Sequence, residues 1–415
     1  MAQHASMPEM VCESVLGWLR SSHTPALWSE TAAWQEPEWE AARWAIQVHG
    51  IAPLLFRHLR EQPRWFVLAP SLQSYLTDQY ELNRQRLYLM MAEQVTLLRS
   101  AAQAGIPILP LKGSALVWRY YDDPALRPMA DLDLLLRPEH EEMFAALLGG
   151  LDYQPTGHTP RHRSYTRSSY LPDEIFTTGE HPTNPRAVEL HTEARESFWG
   201  IHYDVTEELW AGAKLTTMGE AQGWLPDEVA LLQHLLIHAT MDMIDGKSRL
   251  IRLYDILLVG ACLREEQWEQ LLRAGQTRGE ERLLYGPLFL AERYLGQIAP
   301  PTIMARLADG TPRRLQAFLE QTTLYHLSFC NPLVLPLQER LCWHHSGWEQ
   351  SVAIAHRLLP SPRTLRQLHP HLAALYLLPL AYLAYLFNLL EGVVRRLLQS
   401  PRRPWLRRGQ GGSGG

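Results

Sequence analysis

At 415 residues, with 46% hydrophobic and 20% charged residues, the chain has room for two or three domains and is too apolar to be disordered. A formal net charge of -5 excludes a global basic field for nucleic acid, although Arg395, Arg396, Arg402, Arg403, Arg407 and Arg408 crowd the C-terminal stretch. The four cysteines are scattered and the N-terminus has Glu9 and Glu13 without a basic-then-apolar run. These features predict a reduced, cytoplasmic setting and no signal peptide.

Residues 10–104 read as helical, with Leu87, Met91, Val95 and Leu98 at helical spacing before Gly105. Residues 106–111 are a short apolar run containing Pro107 and read as a buried or edge strand. Ser114 stands where the N-cap of a helix over 115–121 would be. Residues 131–136 alternate acid and apolar before becoming wholly apolar, which predicts a second strand. Residues 138–148 carry Pro near the start, acids in the first turn and Gly149 after the end, the signature of a helix. The polar stretch 155–186 reads as a long loop with a short strand around 163–167, and alternation over 187–193 predicts a third strand. From Pro226 the pattern is helical almost to the end. The expected fold is α+β. A small mixed-sheet core over 105–225 is flanked by an N-terminal helical region, 1–104, and a larger C-terminal helical domain, 226–400. A basic, Gly-rich tail over 401–415 follows.

The chemistry concentrates around Asp131-Leu132-Asp133. Strand side chains alternate, so both carboxylates share a face while Leu132 enters the core. Like charges this close repel unless a cation lies between them, and Mg²⁺ takes one or two carboxylates plus substrate phosphates. Glu189 is a third acid on another predicted strand, sharing its face with His191 and Glu193. Alone, an Asp-x-Asp pair is most often a solvated strand end. Upstream, however, Lys112-Gly113-Ser114 occupies a strand-to-helix junction suited to phosphate, against the plain reading of a capped turn. Arg127 could bridge a phosphate or an acid, or form only an ion pair.

Together these segments resemble a known family. Leu111-Lys112-Gly113, Tyr120-Tyr121-Asp122-Asp123-Pro124, residues 127–136, Val188-Glu189-Leu190-His191 and residues 249–256 are similar to the bacterial uncharacterised nucleotidyltransferases of the polymerase-β-like superfamily. The resemblance implies Mg²⁺ or Mn²⁺ held by Asp131, Asp133 and Glu189, with phosphate handled by Gly113 and Ser114. It further implies transfer of a nucleoside monophosphate from an NTP to a hydroxyl or phosphate of a small molecule, peptide or protein, with release of pyrophosphate. Lys112 and Arg127 are assigned to phosphate by position alone. The gap from Ser114 to Asp131 is longer than is usual in the superfamily, and Glu189 stands where Asp is common. Rival readings are a non-catalytic nucleotide-binding scaffold and a toxin-like tRNA nucleotidyltransferase, the latter opposed by the weak net charge.

Other features have competing readings. His234, His238 and Asp242 share one helix face, which either lines the cleft or is structural, and Asp255 divides the same way. Trp18, Trp28, Trp34, Trp39 and Trp44 fit helix packing better than base stacking. The apolar run 372–387 reads as a packing helix, as an interfacial anchor with peripheral membrane contact through 372–408, or as a span. Spanning would place the acids on the side away from NTP.

Overall fold

The structure, a computed structural model, describes residues 6–20, 25–159, 162–167, 181–198, 201–329, 337–360, 362, 365 and 377–398. Helices α1 (Met7–Gly17), α2 (Pro25–Ala32), α3 (Glu36–His49), α4 (Ala52–Leu59) and the long α5 (Pro70–Gln103) come first. In α1 the buried Val11, Cys12, Val15 and Leu16 fall on one stripe, as helical periodicity requires. The tryptophans pack on one another. Trp18 stacks on Trp28 with ring centres 5.4 Å apart, and Trp34 meets Trp39 edge-on at 5.1 Å.

A short strand, β1 (Leu109–Pro110), leads into α6 (Lys112–Leu116). Then come β2 (Asp131–Leu135), α7 (Glu141–Gly150), β3 (Tyr153–His158), β4 (Arg163–Arg167) and β5 (Ala187–His191). They form one sheet in the order β1-β2-β5-β4-β3, with β2 and β5 parallel and the other pairs antiparallel. Pro110 lacks an N–H and sits on an edge strand, where its missing donor costs least. Leu132, Leu134, Val188 and Leu190 pack beneath Leu87, Met90 and Leu97 of α5 and Phe144 and Leu148 of α7. Strand alternation therefore leaves Asp131, Asp133, Glu189 and His191 on the opposite face.

Two two-stranded sheets follow, β6 (Arg195–Phe198) with β7 (Ile201–Asp204), then, after α8 (Thr206–Ala211), β8 (Lys214–Met218) with β9 (Ala221–Leu225). Helices α9 (Glu228–Asp245), α10 (Leu250–Gly260), α11 (Glu265–Arg278), α12 (Glu281–Leu295), α13 (Pro301–Asp309), α14 (Arg313–Gln321) and α15 (Leu324–Phe329) complete the first of two compact units. Helix α1 packs back onto the last helices of this unit: the Glu13 carboxylate accepts from the Tyr294 hydroxyl at 2.7 Å and from the Tyr325 N–H at 3.2 Å.

The second unit contains α16 (Leu337–Leu341), α17 (Gly347–Leu358) and α18 (Leu378–Leu398). Ala381 and Tyr385 of α18 pack against Leu365, while Leu380, Leu383 and Phe387 are exposed. Among the described residues no helix is long and apolar enough to cross a membrane. Residues 372–376 and the tail 401–415 lie outside the described residues.

The structure departs from the sequence reading at three places. The expected loop begins as strand β3, because residues 153–158 pair with β4. The expected strand over 106–111 narrows to two residues, because only Leu109 and Pro110 face β2. Ser114 is not an N-cap. The helix starts at Lys112, and the Ser114 hydroxyl instead accepts the N–H of Asp133 at 3.0 Å. A buried hydroxyl satisfies whichever orphan donor lies nearest, and here that donor belongs to a neighbouring strand.

Candidate active site

Parallel pairing of β2 and β5 sets Asp133 directly beside Glu189, with Asp131 beside Ala187. Neighbouring strands are about 4.8 Å apart, so acids of both strands converge on one face. Lys112 closes the group from the first position of α6, with its Nζ 2.9 Å from Asp133 Oδ1. Its backbone adopts φ 48°, a left-handed conformation that is uncommon for a residue with a side chain. Gly113 follows in close contact with the segment before β2. A Cβ built there would come within 2.6 Å of Met129 Sδ.

A polar face of α5 fixes this arrangement from behind. Arg86 is almost wholly buried. Its Nε donates to Met129 O (2.8 Å), one terminal nitrogen to His181 O (3.0 Å) and Asn184 O (2.9 Å), and the other to Ala130 O (2.8 Å) and Pro185 O (3.2 Å). Every donor of the guanidinium is thus spent on backbone leading into β2 or β5. Glu93 pairs with Arg186 at 2.7 Å, and Gln94 donates to Ser114 O at 2.9 Å. Sequence reasoning missed Arg86. A lone Arg within a long helical pattern reads as solvated.

Histidines surround the acids. His191 Nε2 is 2.9 Å from Asp133 Oδ1. His162, at the head of β4, places Nε2 3.3 Å from Glu189 Oε1. From α9, His234 and His238 also reach the cleft. His234 is only 3% exposed, and among the described residues neither of its ring nitrogens has a hydrogen-bond partner. His238 Nδ1 is 2.8 Å from Glu196 Oε1, and its other nitrogen contacts Arg252, which is ion-paired to Asp242 at 2.6 Å.

These neighbours set the protonation states. Burial pushes the Asp133 carboxyl up, but Lys112 and His191 more than reverse this and hold it well below the usual carboxylate range. Glu189 has no such relief. Burial, then Asp131 and Asp133, push its carboxyl up to about 7 against a smaller opposing effect of Lys112. Burial and then Lys112 lower the His234 imidazole to about 4, keeping it neutral. The Asp242 carboxyl rises to about 6, mainly through burial, with Arg252 opposing.

All this surrounds a cleft of about 460 Å³. Of the residues singled out in the sequence, Lys112, Gly113, Arg127, Asp131, Asp133 and Glu189 line it. Ser114, 1% exposed, stands behind the wall and buttresses Asp133. Arg127 lines the cleft while its guanidinium grips Asp255 of α10, Nε to Oδ1 at 2.9 Å and a terminal nitrogen to Oδ2 at 2.8 Å. The Tyr121 hydroxyl adds a further bond to Asp255 at 2.7 Å. Asp255 is therefore the anchor of Arg127.

The small mixed sheet and its carboxylate-bearing parallel strands lie within the part of the chain that is similar to nucleotidyltransferases. The chain belongs to the family described as uncharacterised nucleotidyltransferase, which matches residues 35–296. No curated protein matches it. Among solved structures, the antibiotic-resistance factor ANT(2'')-Ia is 14% identical, the match covering 45% of this chain and 93% of that one, with a TM-score of 0.32. An antigenic nucleotidyltransferase-like protein from Paracoccidioides brasiliensis is 12% identical over 54% of this chain and 97% of its own, with a TM-score of 0.27.

Proposed function

We propose that the chain transfers a nucleoside monophosphate from an NTP to a hydroxyl or phosphate acceptor, releasing pyrophosphate, with Mg²⁺ or Mn²⁺ held by Asp131, Asp133 and Glu189. The observation that carries this reading is the lateral pairing of Asp133 with Glu189 on the cleft wall, two residues after Asp131. Asp131, Asp133 and Glu189 line one partly desolvated cleft, and the Glu189 carboxyl is displaced to about 7 by burial and the two aspartates, a strain that a cation would relieve. When bound, the metal supplies positive charge to the phosphates and to the attacking oxygen.

The chain's own residues do the rest. Lys112 neutralises phosphate charge beside Asp133. Gly113, lacking a Cβ, lets backbone approach the phosphates. Ser114 acts indirectly by fixing the N–H of Asp133, and Arg127, held by Asp255, adds positive field at the wall. Glu189 orients a hydroxyl acceptor and takes its proton. The acceptor oxygen bonds to the α-phosphorus as the bond to the β-phosphate bridging oxygen breaks, and pyrophosphate leaves. The neutral, unengaged imidazole of His234 offers the acceptor a hydrogen-bonding partner across the cleft. Positioning and electrostatics supply the rate gain.

The test is incubation with four labelled NTPs, Mg²⁺ and small-molecule, peptide, protein or RNA acceptors, read by mass shift and pyrophosphate release. Asp131→Asn is expected to cut turnover at least about 100-fold, since each tenfold needs only about 1.4 kcal/mol, with the melting temperature nearly unchanged. Nucleotide binding without pyrophosphate from any acceptor would favour a scaffold. Full turnover by Asp131→Asn would remove the acids from the chemistry.

A further inference from the structure

Strand β4 runs antiparallel to β5 with Ser164 opposite Glu189 and Arg163 opposite Leu190. One step further along this register, His162 falls opposite His191. Opposed residues of an antiparallel pair share a face, so both imidazoles flank Glu189. His162 Nε2 is 3.3 Å from Glu189 Oε1, and His191 Nε2 is 3.9 Å from Glu189 Oε2. One ligating atom from each of the three residues lies within 4.8 Å of the others. Ligands held about 2.1 Å from one ion stand about 3.0–4.2 Å apart, depending on whether they are adjacent or opposed. The spacing therefore needs only small side-chain adjustments to close around a cation. His191 is buried, and the side chains of His162 and Glu189 are each 19% exposed, so the three form a sheltered cluster.

The donor chemistry differs from that of the aspartates. Mg²⁺ selects oxygen and dehydrates reluctantly, whereas imidazole nitrogen suits borderline divalent ions. We propose that His162, Glu189 and His191 form a binding site for a borderline divalent transition metal of the Zn²⁺ class, beside the hard-oxygen pair Asp131 and Asp133. Glu189 stands between the two sets with one oxygen toward each imidazole. Asp133 Oδ1 is 2.9 Å from this same His191 Nε2, so the contact gives way when that nitrogen binds the ion and leaves the Asp133 carboxylate beside the site as a further oxygen donor. The site rests on ligand geometry and does not depend on nucleotidyl transfer.

The test uses the full chain stripped of metal and titrated with Co²⁺ or Mn²⁺. In excess Mg²⁺, which occupies the hard-oxygen pair, the expected result is one ion per chain held through nitrogen, with visible d–d absorption for Co²⁺, nitrogen couplings in pulsed EPR for Mn²⁺, and displacement by Zn²⁺. His191→Ala and His162→Ala should each weaken binding at least about tenfold. His162→Gln removes the imidazole while leaving a polar side chain beside Glu189, and should behave the same with an unchanged melting temperature. Oxygen-only coordination, or wild-type affinity in His162→Gln, would overturn the proposal. Mg²⁺ and NTP binding measured on the same samples separates the two readings. If they persist without nitrogen coordination, this site fails and the nucleotide site of the proposed transfer stands. If nitrogen coordination is present but NTP does not bind, transfer fails and the metal site stands.

Discussion

The Glu189 carboxyl meets burial and two acids at once, and its titration moves from 4.5 to about 7. Between those values the folded chain keeps a proton that the unfolded chain has released. Stability contributed here therefore falls as pH rises through this window and levels off above about pH 7. Glu189→Gln should accordingly gain on the wild type between pH 5 and pH 8 in urea denaturation; a gap that stays constant across that range would contradict the assignment. Mg²⁺ or Mn²⁺ should raise the wild-type melting temperature more at pH 8 than at pH 5, because the ligand must first lose its proton. The same variant should lower kcat strongly with little change in NTP Kd. Gly113 presents a different question, since its missing Cβ is demanded by Met129 as well as by the proposed phosphates. A double-mutant cycle of Gly113→Ala with Met129→Ala separates the demands. Coupling is expected in stability, while nucleotide affinity falls in Gly113→Ala and is not restored by the second change. Restored affinity in the double variant would reduce Gly113 to a packing role.

At the scale of elements, α5 is both core and template. Its apolar face supports the sheet, and Arg86 holds the backbone entering the two strands that carry the acids. Arg86→Met would strand several buried carbonyls, each costing about 1–3 kcal/mol. The expected loss is at least about 3 kcal/mol in chemical denaturation, with turnover falling alongside. Arg86→Lys should fail to rescue, because one compact ammonium cannot reproduce the planar fork. Wild-type stability in the lysine variant would show that the fork is dispensable.

Across the first unit, one bond between the segment leading into β2 and the helices is Arg127 with Asp255, 128 positions apart. Both side chains are nearly inaccessible, at 12% and 2% exposure. Removing one partner of a buried pair leaves the other uncompensated, at about 3–5 kcal/mol. Arg127→Met and Asp255→Asn should each show a loss of that order, and Arg127→Met with Asp255→Leu should recover part of it. If each single change is silent, this contact does not hold the two regions together.

Period-two alternation is local, so the sequence alone determined that Asp131 and Asp133 share a face and that Glu189 and His191 share another. Helical spacing likewise announced α5, and alternation announced β2 and β5. What the sequence could not decide was which strand lies beside which. His191 reaches Asp133 from 58 positions away only because β5 inserts next to β2, a choice made by packing of Leu132, Leu134, Val188 and Leu190 under α5 and α7. The same long-range contacts turned Ser114 from an expected helix cap into a brace for Asp133, and drew Arg127 onto Asp255. They also buried Arg86 and carried His162 to Glu189. Hydrogen bonds and ion pairs between distant segments leave no period in the chain. Their partners are chosen when the core closes and each buried polar group must find one.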